Sequence, residues 1–159
     1  MGYRNKKGWY KLKNLDKFVP SHDDYMKSFN ESTGSVEYKS GLELKAFQFC
    51  DINPKIKSWA CEPFAIKYVK PTDNKIHRYF PDLLVTFETG QTFLIEIKSS
   101  SETVPPKKPK KISIKSEKNY KKALTTYAIN SAKWKEAGKF CEEKEIKFIF
   151  LTELQLNSK

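Results

Sequence analysis

The sequence predicts an α/β domain, a mixed β-sheet flanked by helices, with a core ordered α-β-β-β-α-β. Three observations lead there. Apolar residues recur at helical spacing over 40–53. Three apolar or alternating segments then follow between residues 59 and 98. Last come a long helical stretch, 117–143, and a short apolar run, 146–151. Strand, helix, strand in that order predicts a right-handed parallel crossover, and a sheet so built needs helices packed on it.

Residues 1–39 are polar and aromatic with little periodicity. Gly8-Trp9-Tyr10-Lys11 and Phe18-Val19-Pro20 are expected to pack on the domain as an irregular N-terminal arm, and residues 40–159 to form the domain itself. Leu42, Ala46, Phe49 and Cys50 mark the first helix, which Asn53-Pro54 ends. Residues 59–69 read as one strand, with Phe64, Ile66 and Tyr68 on one face. Pro71, Asp73 and Asn74 supply turn chemistry. Residues 76–87 read as a second strand, interrupted at Pro81. Glu88-Thr89-Gly90-Gln91 makes a hairpin turn into the third strand, 92–98. A loop rich in Ser, Pro and Lys spans 99–116. Tyr120, Ala123, Leu124, Tyr127, Ala128, Trp134 and Cys141 form the stripe of the long helix. Trp59, Tyr120, Tyr127 and Trp134 are expected in the core.

A chain of 159 residues fits one domain with a real core. Its net charge of +11 comes almost wholly from lysine, with Arg4 and Arg78 the only arginines. Lysine suits phosphate contact better than bidentate base reading. The charge is also clustered: from Lys107 to Lys122 there are eight lysines and one glutamate in sixteen residues. That run points to a nucleic-acid backbone, with Lys107, Lys108, Lys110 and Lys111 as the grip and Arg78 as a further phosphate contact. Prolines 105, 106 and 109 stiffen the loop and lower the ordering cost of binding. Cys50, Cys61 and Cys141 are odd in number and contain no C-x-x-C, and His22 and His77 stand far apart, so neither a disulfide framework nor a zinc site is expected. The sequence has no apolar run of membrane-spanning length, and no signal peptide is expected.

The chemistry centres on Asp82, Glu96 and Lys98. Glu96 and Lys98 project from the same side of a strand whose Ile95 and Ile97 point to the other. Asp82 stands between Tyr79-Phe80 and Leu83-Leu84-Val85. Carboxylates in such apolar settings need a partner, and a divalent cation is one. Asp82 and Glu96 supply hard oxygen ligands, and the carbonyl of Ile97 is a natural third, a set that suits Mg²⁺ or Mn²⁺. Lys98 beside such an ion can orient a water and stabilise charge on a phosphodiester. This is the PD-(D/E)XK pattern of metal-dependent nucleases. Glu43 is ambiguous: Ser40-Gly41-Leu42-Glu43 fits a capping box, which by spacing is the simpler role. His77 alone is weak evidence for a general base.

The chain resembles the head-completion nuclease family of T-even-like tailed bacteriophages, within the PD-(D/E)XK and TnsA-type endonuclease superfamily. The matching stretches are Tyr38-Lys39-Ser40 with Glu43, Asp51-Ile52-Asn53-Pro54, Trp59, Ile76-His77-Arg78-Tyr79-Phe80-Pro81-Asp82, Leu94-Ile95-Glu96-Ile97-Lys98 and Val104-Pro105-Pro106-Lys107-Lys108-Pro109. Further stretches run from Tyr127 to Trp134 and from Phe148 to Glu153. The resemblance implies a restriction-endonuclease-like fold with Glu43, Asp82, Glu96 and Lys98 in the active site. It thereby favours a catalytic over a capping role for Glu43. It also implies double-stranded DNA as substrate, phage head and neck proteins as partners, and a place in the virion head and host cytoplasm. Ser99 departs from the proline expected after the lysine. Two other readings fit the same residues: a non-catalytic DNA-end-binding head-completion protein, and a TnsA-like transposition or junction endonuclease.

Overall fold

The computed structural model describes residues 6–21 and 28–157; Arg4 and His22 lie outside them. Its centre is a four-stranded sheet in the order β4-β7-β8-β9, made of β4 (Ile56–Cys61), β7 (Leu83–Phe87), β8 (Thr92–Ile97) and β9 (Lys147–Leu151). The first three strands pair antiparallel, and β8 pairs parallel with β9, placing Ile95 opposite Ile149 and Ile97 opposite Leu151. The crossover is α2 (Ile114–Glu143), which starts earlier than predicted because Ser113 and Ser116 form a capping box.

Two of the predicted strands are in fact four. The alternation over 59–69 breaks at Glu62-Pro63, where Glu62 takes a φ of 43°. Pro81 breaks the 76–87 segment, since it lacks an amide for the ladder. The chain therefore leaves the main sheet after β4 and makes a separate ribbon of β5 (Ile66–Val69) and β6 (Ile76–Tyr79). It returns at Asp82 to begin β7.

The predicted irregular arm contains strands. β1 (Gly8–Lys11), β2 (Phe29–Asn30) and β3 (Ser35–Tyr38) form an antiparallel sheet in the order β1-β3-β2. Sequence periodicity missed it because the strands are short. Leu12, Phe18 and Val36 enter the same core as α1 (Gly41–Ile52) and the main sheet. A second anchor is polar. Asp51, fully buried, accepts hydrogen bonds from the Tyr10 hydroxyl (2.7 Å) and the amides of Lys13 (2.8 Å) and Asn14 (2.9 Å). A buried carboxylate with this many donors holds the segment firmly to the C-terminal end of α1.

Each face of the sheet has its own core. On one, Leu42, Ala46, Phe47 and Cys50 of α1 meet Trp59, Leu83, Val85, Ile95 and Ile97. Phe47 fills the place predicted for Phe49, which is exposed. Trp59 packs against Phe18 and Phe47, burial worth roughly 3 kcal/mol. On the other face, Ala137 and Cys141 of α2 meet Leu94, Ile66, Tyr68 and Tyr79. Only the C-terminal half of the predicted α2 stripe is therefore buried. Trp134 packs on Phe150, whereas Tyr120 and Tyr127 line surface grooves and are not core residues. A short helix, α3 (Glu153–Leu156), closes the described chain. All three cysteines are buried and unpaired, and no helix is long and apolar enough to cross a membrane among the described residues.

Candidate active site

The site forms where three chain segments reach one end of the main sheet. Alternation along β8 sends Ile95 and Ile97 into the α1 core. Glu96 follows Leu94 toward α2. Glu96 is 6% exposed, and its Oε2 has no hydrogen-bond partner. Burial lifts its pKa to about 7, against the pull of Lys98 and Lys133.

Asp82 stands at the entry to β7, just after the break at Pro81, and not within a strand as predicted. Its Oδ2 accepts the Ile97 amide at 2.7 Å. Burial raises its pKa to about 7, with Glu43 and Glu62 adding to the rise and Lys98 and the Ile97 amide opposing it. A strand residue presents its N–H and C=O toward the same neighbour. The amide bond thus turns the edge of Ile97, carbonyl included, toward Asp82.

Glu43 enters from the N-terminus of α1. Ser40 Oγ caps the Glu43 amide at 3.1 Å, while the Glu43 carboxylate reaches back to the Lys39 amide at 2.7 Å. The bond lands one residue before the cap, so the capping box predicted from spacing is only half made. Burial raises the Glu43 pKa, opposed by the Lys39 amide and by Lys98. Glu43 and Asp82 line one cavity together with Glu37, Lys39 and Glu62. The four predicted residues Glu43, Asp82, Glu96 and Lys98 are thus electrostatically coupled in one place.

Two neighbours escaped the sequence reading. Glu62 holds Lys39 in a 3.0 Å ion pair and leaves its buried Oε2 without a partner; its amide donates to the Asp82 carbonyl at 2.9 Å. Lys133, on α2, lies 5.7 Å from the ring centroids of both Tyr68 and Tyr79. Burial lowers its pKa, while Glu96 pulls it back up. Neither stands at a motif position: Glu62 arrives by a left-handed residue after β4, and Lys133 by the docking of α2. The remaining candidates are peripheral. Lys107, Lys108, Lys110 and Lys111 are exposed on the loop before α2, Arg78 lies on the β5–β6 ribbon with its guanidinium over Phe80, and His77 pairs with Asp73 at 2.7 Å.

The TnsA-like endonuclease N-terminal family model matches residues 53–153, most of the chain and all four strands of the main sheet. The chain belongs to this family. Its α/β architecture is accordingly the restriction-endonuclease-like fold. The chain is also 34% identical over 137 residues to the head completion nuclease of Enterobacteria phage T4, an alignment covering 86% of this chain and 89% of that protein. Asp82, Glu96 and Lys98 fall within the TnsA-like match, as do Glu62 and Lys133; Glu43 precedes it.

Proposed function

We propose that this chain is a divalent-cation-dependent endonuclease that hydrolyses phosphodiester bonds of double-stranded DNA during phage head completion. The observation that carries the reading is the convergence of Asp82 and Glu96, two carboxylates held near neutral pKa by burial, beside Lys98. Burial outweighs the nearby lysines, and the buried Oε2 of Glu96 has no hydrogen-bond partner, as expected of an oxygen that awaits a ligand.

These residues fit Mg²⁺, with Mn²⁺ as a substitute. Asp82, Glu96 and the carbonyl of Ile97 are all hard oxygen donors. Among the described residues, no three Asp, Glu, His or Cys side chains form a ready-made cage. A bound Mg²⁺ supplies Lewis-acid polarisation of the phosphate and a more acidic bound water. In this reading Lys98 orients the attacking water and stabilises the charge that grows on the phosphoryl oxygens. Glu43 accepts hydrogen bonds from water in the same cavity. Arg78 and the exposed lysines 107, 108, 110 and 111 hold the DNA backbone, a contact that salt weakens steeply.

The phage relative's name supports a setting in head completion; beyond that name, the proposed action is on DNA of a filled head, with head and neck proteins as partners, in the virion and the host cytoplasm. Residues 40–159 are the nuclease unit in this reading, with the described part of the N-terminal segment contributing Leu12, Phe18 and Val36 to the same core. The test is incubation of purified protein with linear and circular duplex DNA, with Mg²⁺ or chelator. Nicking in Mg²⁺ that Asp82→Ala and Lys98→Ala abolish supports the proposal. DNA binding without cutting in either condition would leave a DNA-end-binding protein instead, and cutting confined to one sequence or branched junction would favour a TnsA-like transposition or junction enzyme.

A further inference from the structure

The β5–β6 ribbon has two unlike faces. Ile66, Tyr68 and Tyr79 point inward and are buried against α2. The opposite face carries Lys67 directly across from Arg78, and Val69 directly across from Ile76. Val69 is 52% and Ile76 71% exposed. Lys70 and Lys75 close the connecting turn, the Lys70 amide donating to the Lys75 carbonyl at 2.9 Å.

This pairing does little for the ribbon's own stability, even with the Arg78 guanidinium packed over Phe80. Like charges directly opposite one another weaken a two-stranded pair, and an exposed β-branched pair contributes little in water. Both choices become favourable against a polyanion that also offers apolar edges, which describes a groove of duplex DNA. The major groove is wide enough for a two-stranded ribbon. Asp73, the acid of the turn, is engaged by the Lys75 amide and by His77, and so adds little repulsion.

The ribbon is also tied to the site. It is the excursion the chain makes between β4 and β7, and its two stems are joined where the Glu62 amide meets the Asp82 carbonyl. Lys133 packs on its inner face, over Tyr68 and Tyr79.

We infer that the β5–β6 ribbon is a DNA-groove-binding element, laying Lys67, Val69, Ile76 and Arg78 into duplex DNA beside the candidate active site. This rests on DNA being the substrate, and extends the contact from the lysine loop and Arg78 to the rest of the ribbon's outer face.

The test measures affinity for a duplex oligonucleotide across a salt series, in chelator. Lys67→Gln with Lys75→Gln is compared with Lys55→Gln with Lys57→Gln, a charge-matched exposed pair at the start of β4, the end of that strand away from the ribbon. The ribbon pair should lose about tenfold or more in affinity, with a salt dependence shallower by about two counterions, and the control pair much less. Val69→Ser with Ile76→Ser should weaken binding without changing the salt slope. Because the native thiols are all buried, Ile76→Cys gives a second readout in an otherwise intact chain: disulfide capture of a duplex bearing a base-tethered thiol. Wild-type affinity and slope in the ribbon variants, equal loss in the control, or no capture at position 76 overturns the inference. If wild-type protein itself fails to bind duplex DNA, the proposed function falls with it.

Discussion

The amide of Ile97 donates to Asp82 Oδ2 across 2.7 Å, locking the start of β7 to the end of β8. The carboxylate that would hold a cation is thus also part of the sheet's own wiring. Asn at position 82 can accept that amide through its carbonyl oxygen while losing the charge. Asp82→Asn is therefore expected to fold, with thermal stability in chelator no lower than wild type at pH 8, and to cut no DNA in Mg²⁺. Thermal melts and plasmid nicking check both halves; appreciable cutting would remove Asp82 from the chemistry.

Glu43 has a structural bond to the Lys39 amide and a place in the acidic cavity. Glu43→Gln separates the two, because the amide oxygen still accepts from Lys39 while the charge is gone. Stability should change by less than about 1 kcal/mol, and the nicking rate should fall at least tenfold. Full activity in Glu43→Gln would reduce Glu43 to a cap.

Proton linkage gives a third expectation. Asp82 and Glu96 titrate near 7 in the folded chain and near 4 when unfolded. Between those values the folded state binds more protons, so stability without cation falls as pH rises from about 4 through 7. A cation binds the ionised pair, so stabilisation by Mg²⁺ should be larger at pH 8 than at pH 6. Melting temperatures at both pH values, with and without Mg²⁺, measure this; an ion effect absent at both would count against the site.

Lys133 lowers the Glu96 pKa from a perch on two tyrosines. Lys133→Met keeps the aliphatic packing and removes the charge. The acid limb of the pH–rate profile for Mg²⁺-dependent nicking should then move to higher pH, and Lys133→Arg should return it. An unmoved limb would confine Lys133 to packing.

Asp51 tests the architecture and not the chemistry. Asp51→Ala leaves the Tyr10 hydroxyl and two backbone amides without their acceptor. The expected loss is roughly 3 kcal/mol or more in denaturant unfolding. A loss under about 1 kcal/mol would mean that the N-terminal segment is held by its apolar contacts and by the bonds of Asn14 and Lys17 to the main-chain carbonyls of Asp51 and Asn53, and not by the carboxylate.

The sequence was most readable where periodicity and chemistry coincide. Alternation around Glu96 and Lys98 placed them on one face, and the apolar run after the long helix located the parallel strand. It misled where a break is made by one residue. Glu62-Pro63 and Pro81 split two apparent strands and created the ribbon; the interruption at Pro81 was legible, but not that the chain changes sheets there. The short strands β1 to β3 offered too few residues for a period to emerge. Glu62 and Lys133 were invisible for a different reason: their nearness to Asp82 and Glu96 arises from a backbone turn and a helix dock, neither of which leaves a spacing signature.

The parallel pairing of β8 with β9 also bears on when such a molecule can act. Until β9 is made, a long helix later, the strand bearing Glu96 lacks one neighbour, and the Lys98 amide lacks its acceptor on Leu151. Distant pairings of this kind form late. A nascent chain still on the ribosome would therefore carry an unfinished cutting edge, which would delay any attack on nearby DNA until synthesis has passed residue 151.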